Sequence, residues 1–179
     1  MRLFVALEVG PEAPGTSGEG RGAPQHLTLR FLGEVPADRV PSIVTALERV
    51  ARETRPFDLV LDGVGAFPSR SNPRVVWVGA TAGRTEAGDL AQRIAHALAE
   101  APGSVERESF VPHLTLFRVR SPQLRRRATD LLSGTEPPPA PRTVHVREFV
   151  LKESTLTSRG AVHRTLVAFP LALGSGPAD

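Results

Sequence analysis

Cysteine is absent from the 179 residues. Disulfide scaffolds, thiolate nucleophiles, iron–sulfur clusters and cysteine-ligated zinc sites are therefore excluded. Tyrosine is absent as well, and tryptophan and methionine occur once each. Lys152 is the single lysine among 22 Lys and Arg residues. No apolar run approaches the roughly 20 residues that span a bilayer. Met1 to Glu8 hold too short an apolar run for a signal peptide and no Ala-x-Ala site, so a cytoplasmic, soluble protein with no membrane partner is expected.

The formal charge is only +3, yet the pI is near 10.8. With no Tyr, no Cys and one Lys, almost nothing titrates between about pH 7 and 12, so a small excess persists. Arginine offers phosphate a planar fork, but so weak a net charge does not by itself point to nucleic acid. Apolar residues make up 40% of the chain, which suits a folded core, while 16 Gly and 17 Pro predict unusually loop-rich connections. The length suits one domain or two small lobes.

Periodicity predicts a strand over Arg2–Glu8, apolar on both faces and hence central in a sheet. Val9–Gln25, dense in Gly and Pro, reads as a loop. His26–Leu32 is a second strand, stopped at Gly33. An amphipathic helix follows from Asp38, its expected cap, to about Thr54, with Ile43, Leu47, Val50 and Ala51 on its stripe. Phe57–Phe67 and Arg74–Ala80 read as paired strands, and Thr85–Ala101 as a second amphipathic helix. Phe110–Val119 reads as a strand, Pro122–Leu132 as a short helix, and Gly134–Pro141 as a loop. Arg142–Glu153 and Ala161–Leu173 read as a closing hairpin turned at Ser158-Arg159-Gly160. The mixture lacks a regular strand–helix–strand repeat, which predicts an α+β fold. One domain is expected over 1–173, with a flexible tail over 174–179.

The sharpest signal is a repeat. His26-Leu27-Thr28-Leu29 recurs as His113-Leu114-Thr115-Leu116. With 20 Leu and 13 Thr in 179 residues, a given His precedes Leu-Thr-Leu by chance about once in a thousand times. In a strand, residues i and i+2 share a face. His26 and Thr28 therefore point one way while Leu27 and Leu29 point into a core, and the second copy does the same. Two imidazoles can divide acid and base duties near neutral pH, and two threonine hydroxyls can donate to the non-bridging oxygens of an anion. Together they fit an in-line displacement at phosphorus with no metal and no cofactor. Two His without a third suitably spaced ligand fall short of a metal site.

At these residues the chain resembles the 2H phosphoesterase superfamily, and within it the RNA 2′,3′-cyclic phosphodiesterases, also called 2′-5′ RNA ligases. The resemblance extends from Arg2 to Leu7, through His26 to Gly33 and Val64 to Pro68, to Phe110–Arg118, Glu153-Ser154 and Phe169 to Leu171. It implies a two-lobed, pseudo-twofold fold in which two mainly antiparallel sheets line a cleft with helices outside. It also implies metal-independent hydrolysis of RNA 2′,3′-cyclic phosphodiester ends to 2′-phosphomonoesters, with reverse 2′-5′ ligation as a related activity. By the same resemblance His26 is the general acid, His113 the general base, and Thr28 and Thr115 hold the phosphate. Arg118 contacts phosphate or ribose, and Phe31 supports the nucleoside. The loop at Val9–Gln25 departs from the helix that relatives carry there.

Other residues read as structural. His96 lies off its helix's apolar stripe, His145 alternates with valines in a strand, and His163 sits near the hairpin turn. Arg125-Arg126-Arg127 reads as a solvated face that could also meet RNA backbone, and Trp77 reads as core. Two rival functions remain: a phosphodiesterase for small cyclic nucleotides or 2′-5′ oligonucleotides, and a non-catalytic module that binds RNA ends. A monomer is expected, with RNA ends or small cyclic-phosphate nucleotides as partners.

Overall fold

A computed structural model describes residues 1–10, 26–99, 110–158 and 160–172. Most of the expected loop before His26, the end of the second helix and the 174–179 tail lie outside the described residues.

The first strand, β1 (Arg2–Glu8), is buried from Leu3 through Leu7, as its two apolar faces require of a central strand. It lies between β2 (His26–Glu34) and β7 (Glu148–Thr157), and β7 pairs in turn with β8 (Gly160–Pro170). A second antiparallel sheet runs in the order β5 (His113–Arg118), β4 (Pro73–Ala82), β3 (Phe57–Pro68), β6 (Arg142–Val146). Each sheet thus places one His-Leu-Thr-Leu strand at its edge, and the two edges, β2 and β5, touch.

Helices α1 (Val40–Arg52), α2 (Arg84–Ala97) and α3 (Pro122–Ser133) cover the side opposite the motif histidines. One apolar core joins both sheets and all three helices: Leu3, Val5, Leu27, Leu47, Leu90, Val76, Leu114 and Leu131 all belong to it. The two lobes therefore cannot separate without exposing a shared core.

Several local expectations are corrected. Asp38 makes no capping hydrogen bond; it lies in a 3₁₀ turn, Ala37–Arg39, that leads directly into α1, whose first turn accommodates Pro41. The strand beginning at His26 continues past Gly33 to Glu34, because Gly33 adopts a positive φ of 70° at a bulge opposite Leu3 and Phe4. The expected strand Arg142–Glu153 is two strands. It breaks at Arg147, leaving β6 in the second sheet and β7 in the first, so this crossing joins an edge strand of the second sheet to an inner strand of the first.

Candidate active site

Both motif strands show the same burial pattern. His26 and Thr28 are half-buried while Leu27 and Leu29 are buried; His113 and Thr115 are half-buried while Leu114 and Leu116 are buried. Directly opposed residues in a sheet share a face. Thr28 opposes Ala6, Thr115 opposes Trp77, and His113 opposes Gly79. The two polar rows thus flank the seam between β2 and β5, on the side away from the core. Among the described residues, neither threonine hydroxyl has a hydrogen-bond partner, which leaves both able to donate.

Strict alternation would turn the residue five places after each His toward the core. A bulge in each strand prevents this. In β2 the register skips Leu29, so that Phe31 opposes Phe4. In β5 it skips Leu116, so that Arg118 opposes Val75 on the His113 face. Both residues are exposed, Phe31 by 54%, and Phe31 lies 6.0 Å, ring to ring, from Phe4. The structure therefore brings His26, Thr28, Phe31, His113, Thr115 and Arg118 to one surface.

The two imidazoles have different surroundings. The ring of His113 sits edge-on to Phe67 at 4.9 Å and 6.0 Å from Trp77. Its Nδ1 lies 2.7 Å from the Val111 carbonyl, an acceptor, so Nδ1 carries the proton and the neutral ring keeps an open lone pair on Nε2. Burial pushes the pKa of His113 below the ordinary imidazole value; the Val111 carbonyl opposes this, and the charge of Arg118 adds to it. His113 is thus poised as a neutral proton acceptor.

His26 rests against Phe4, 5.1 Å away, and meets His163 edge-on at 5.0 Å. Glu8 is its cross-strand neighbour. Glu8 is held below the usual carboxylate pKa, foremost by a hydrogen bond from Lys152, while burial opposes; the charge of His26 contributes in the lowering direction.

His163 was expected to be structural because it lies near a turn. In fact β8 folds back along β7 and places the His163 ring beside Phe4 and His26 of the first motif row. Only its alternation with Thr165, two positions on, hints at this in the sequence. Trp77, expected in the core, is half-buried on the motif face, its ring lying over Gly65, where a Cβ would come within 2.2 Å. His96 is exposed on α2. His145 on β6 pairs with Asp58 on β3 at 2.6 Å, and both are exposed. Arg125 and Arg126 are exposed on α3, whereas Arg127 binds Glu136 and stacks over Phe117. No group of three or more potential metal ligands occurs among the described residues, and no described helix is long and apolar enough to cross a membrane.

Two antiparallel sheets with matched His-x-Thr edge strands, meeting over one core, define a two-lobed phosphoesterase of the 2H type. The family model of the 2′-5′ RNA ligase superfamily matches residues 16–155, and the chain belongs to that superfamily. It is 34% identical to an RNA 2′,3′-cyclic phosphodiesterase of Archaeoglobus fulgidus over 94% of this chain and 99% of that one. It is 31% identical to the Thermotoga maritima protein of the same name, over 93% of each chain. The crystal structure of E. coli LigT complexed with 3′-AMP superposes with a TM-score of 0.73 at 27% identity, covering 95% of this chain and 97% of that chain.

Proposed function

We infer that this chain hydrolyses RNA 2′,3′-cyclic phosphodiester ends to 2′-phosphomonoesters, with residues 1–173 acting as a single catalytic domain. The observation that carries the reading is the pairing of two His-x-Thr rows along one seam, one imidazole across from a carboxylate and the other held by a backbone carbonyl. Nε2 of His113 takes a proton from water, and the water oxygen attacks phosphorus. The bond from phosphorus to the ribose 3′ oxygen breaks in line, and His26 delivers a proton to that oxygen. The product carries a 2′-phosphate and a free 3′-hydroxyl. Thr28 and Thr115 donate to the non-bridging oxygens, and Arg118 adds a cation as charge builds on them. Phe31 supports the nucleoside of the cyclic end. A 5′-hydroxyl in place of water would give a 2′-5′ phosphodiester through the same groups.

The names of the relatives support the cyclic phosphodiesterase reading over the small-nucleotide and binding-only alternatives. The deciding experiment incubates the protein, in chelator, with an oligonucleotide ending in a 2′,3′-cyclic phosphate. A 2′-phosphate product supports the proposal. A 3′-phosphate would reverse the assignment of the leaving oxygen. Binding without turnover would leave an RNA-end-binding module, and faster turnover of mononucleotide cyclic phosphates than of oligonucleotides would favour the small substrate.

A further inference from the structure

Lys152 is the single lysine, and it is the one buried charged residue among those described, 3% exposed. It projects from β7 on the same face as the first motif row, opposite Phe4 on one side and Thr165 on the other. Its Nζ donates to Glu8 Oε1 at 2.5 Å and to Thr165 Oγ1 at 3.0 Å, and Thr165 Oγ1 donates to the same Glu8 oxygen at 3.1 Å. Strands β1, β7 and β8 thus converge on one carboxylate, which neighbours His26 across the β1–β2 pair. A compact ammonium suits this spot, whereas the five donors of a guanidinium would outnumber the acceptors supplied by Glu8 and Thr165.

We propose that Glu8, clamped by Lys152 and Thr165, is a positioning residue that keeps His26 oriented and protonated for donation to the leaving oxygen. The clamp removes the rotamer freedom that would let the carboxylate swing toward solvent. His163, edge-on to His26, and Phe4 fix the ring from the other sides. Among the described residues, the groups placed on the His26 side of this sheet are Glu8 from β1, Lys152 from β7, and His163 and Thr165 from β8. His163 stays neutral at neutral pH, because burial foremost, and then the charge of Lys152, lower its pKa. Among these described groups Glu8 is the one anion, and Lys152 the cation that offsets it.

The assignment of His26 as the acid rests on the proposed function, so the test includes a readout that needs no substrate. NMR titration follows the His26 imidazole in the free protein. Glu8→Gln keeps an acceptor for both donors but leaves Lys152 uncompensated, so the His26 midpoint falls, by about half a pH unit or more. Lys152→Met leaves Glu8 uncompensated, and the midpoint rises. In turnover, Glu8→Gln lowers kcat about tenfold with little change in KM, and the alkaline limb moves to lower pH. An unmoved or rising His26 midpoint in Glu8→Gln overturns the proposal, whether or not Lys152→Met folds. If wild-type protein fails to turn over cyclic phosphate while the midpoints shift as stated, the functional reading falls and the positioning of His26 stands.

Discussion

The two halves of the active surface share a frame and differ in what they attach to it. Each offers an edge strand reading His-Leu-Thr-Leu, the same alternation of burial, and a bulge at the second leucine. The frame sets where the imidazole and hydroxyl stand. The residue that each bulge then turns outward is Phe31 in one half and Arg118 in the other. One His lies beside a clamped carboxylate, the other beside a backbone carbonyl and two aromatic rings. Repetition supplies position, and its breakdown supplies, in the proposed mechanism, a division of labour between a proton donor and a proton acceptor.

The most severe break is removal of either imidazole. His26→Ala and His113→Ala should each lower hydrolysis by about 10²–10⁴-fold, with melting temperatures near that of wild type, since both rings are only half-buried. Equal, near-wild-type rates in both variants would end the acid–base scheme. Arg118→Ala should cost about ten- to hundredfold in kcat/KM, because a charge-assisted contact to phosphate is lost, and Arg118→Lys should recover little of it. Phe31→Ala is expected to raise KM about fivefold with kcat retained, the loss of a stacking surface. Steady-state kinetics on one oligonucleotide therefore separates the two outward residues by the parameter that each moves.

A milder break lies behind His113. Gly65→Ala would set a Cβ within 2.2 Å of the Trp77 ring, and a displaced indole disturbs the His113 side alone. Thermal denaturation should register about 1–3 kcal/mol of destabilisation, with turnover reduced while the His26 titration is unchanged. The smallest effect is in pH. Because the pKa of His113 is lowered, the acid limb of kcat/KM should fall below about pH 6.5. Arg118→Gln should move that limb upward, since the charge it removes lowers that pKa. The linkage has the matching sign. The unfolded chain protonates this His first, so stability from His113 is complete above about pH 6.5 and declines as pH falls toward the folded value.

Much of this was legible in the sequence. Two short alternating segments were enough to place His26, Thr28, His113 and Thr115 on rows facing away from the core, because a strand's period of two depends on local geometry alone. The helix stripes of α1 and α2 followed from a period of 3.6. Where the reading failed, a non-local pairing was responsible. Arg142–Glu153 looked like one strand because nothing local marks Arg147 as the point where the chain changes sheets. Trp77 looked like core because its neighbours Val76 and Val78 are core, and a half-buried face beside glycines cannot be told from a buried one by hydropathy.

By itself, then, the sequence determined the paired His-x-Thr rows and their apolar backing, since these need only backbone alternation and the burial of leucine. The tertiary structure decided that the two rows meet edge to edge. It also decided that bulges turn Phe31 and Arg118 outward, and that His163 and the single lysine come to the His26 side. Those outcomes depend on register between strands distant in sequence, by more than a hundred residues for β1 with β7. A one-residue difference in register there inverts every side chain, and only the assembled core selects which register is kept.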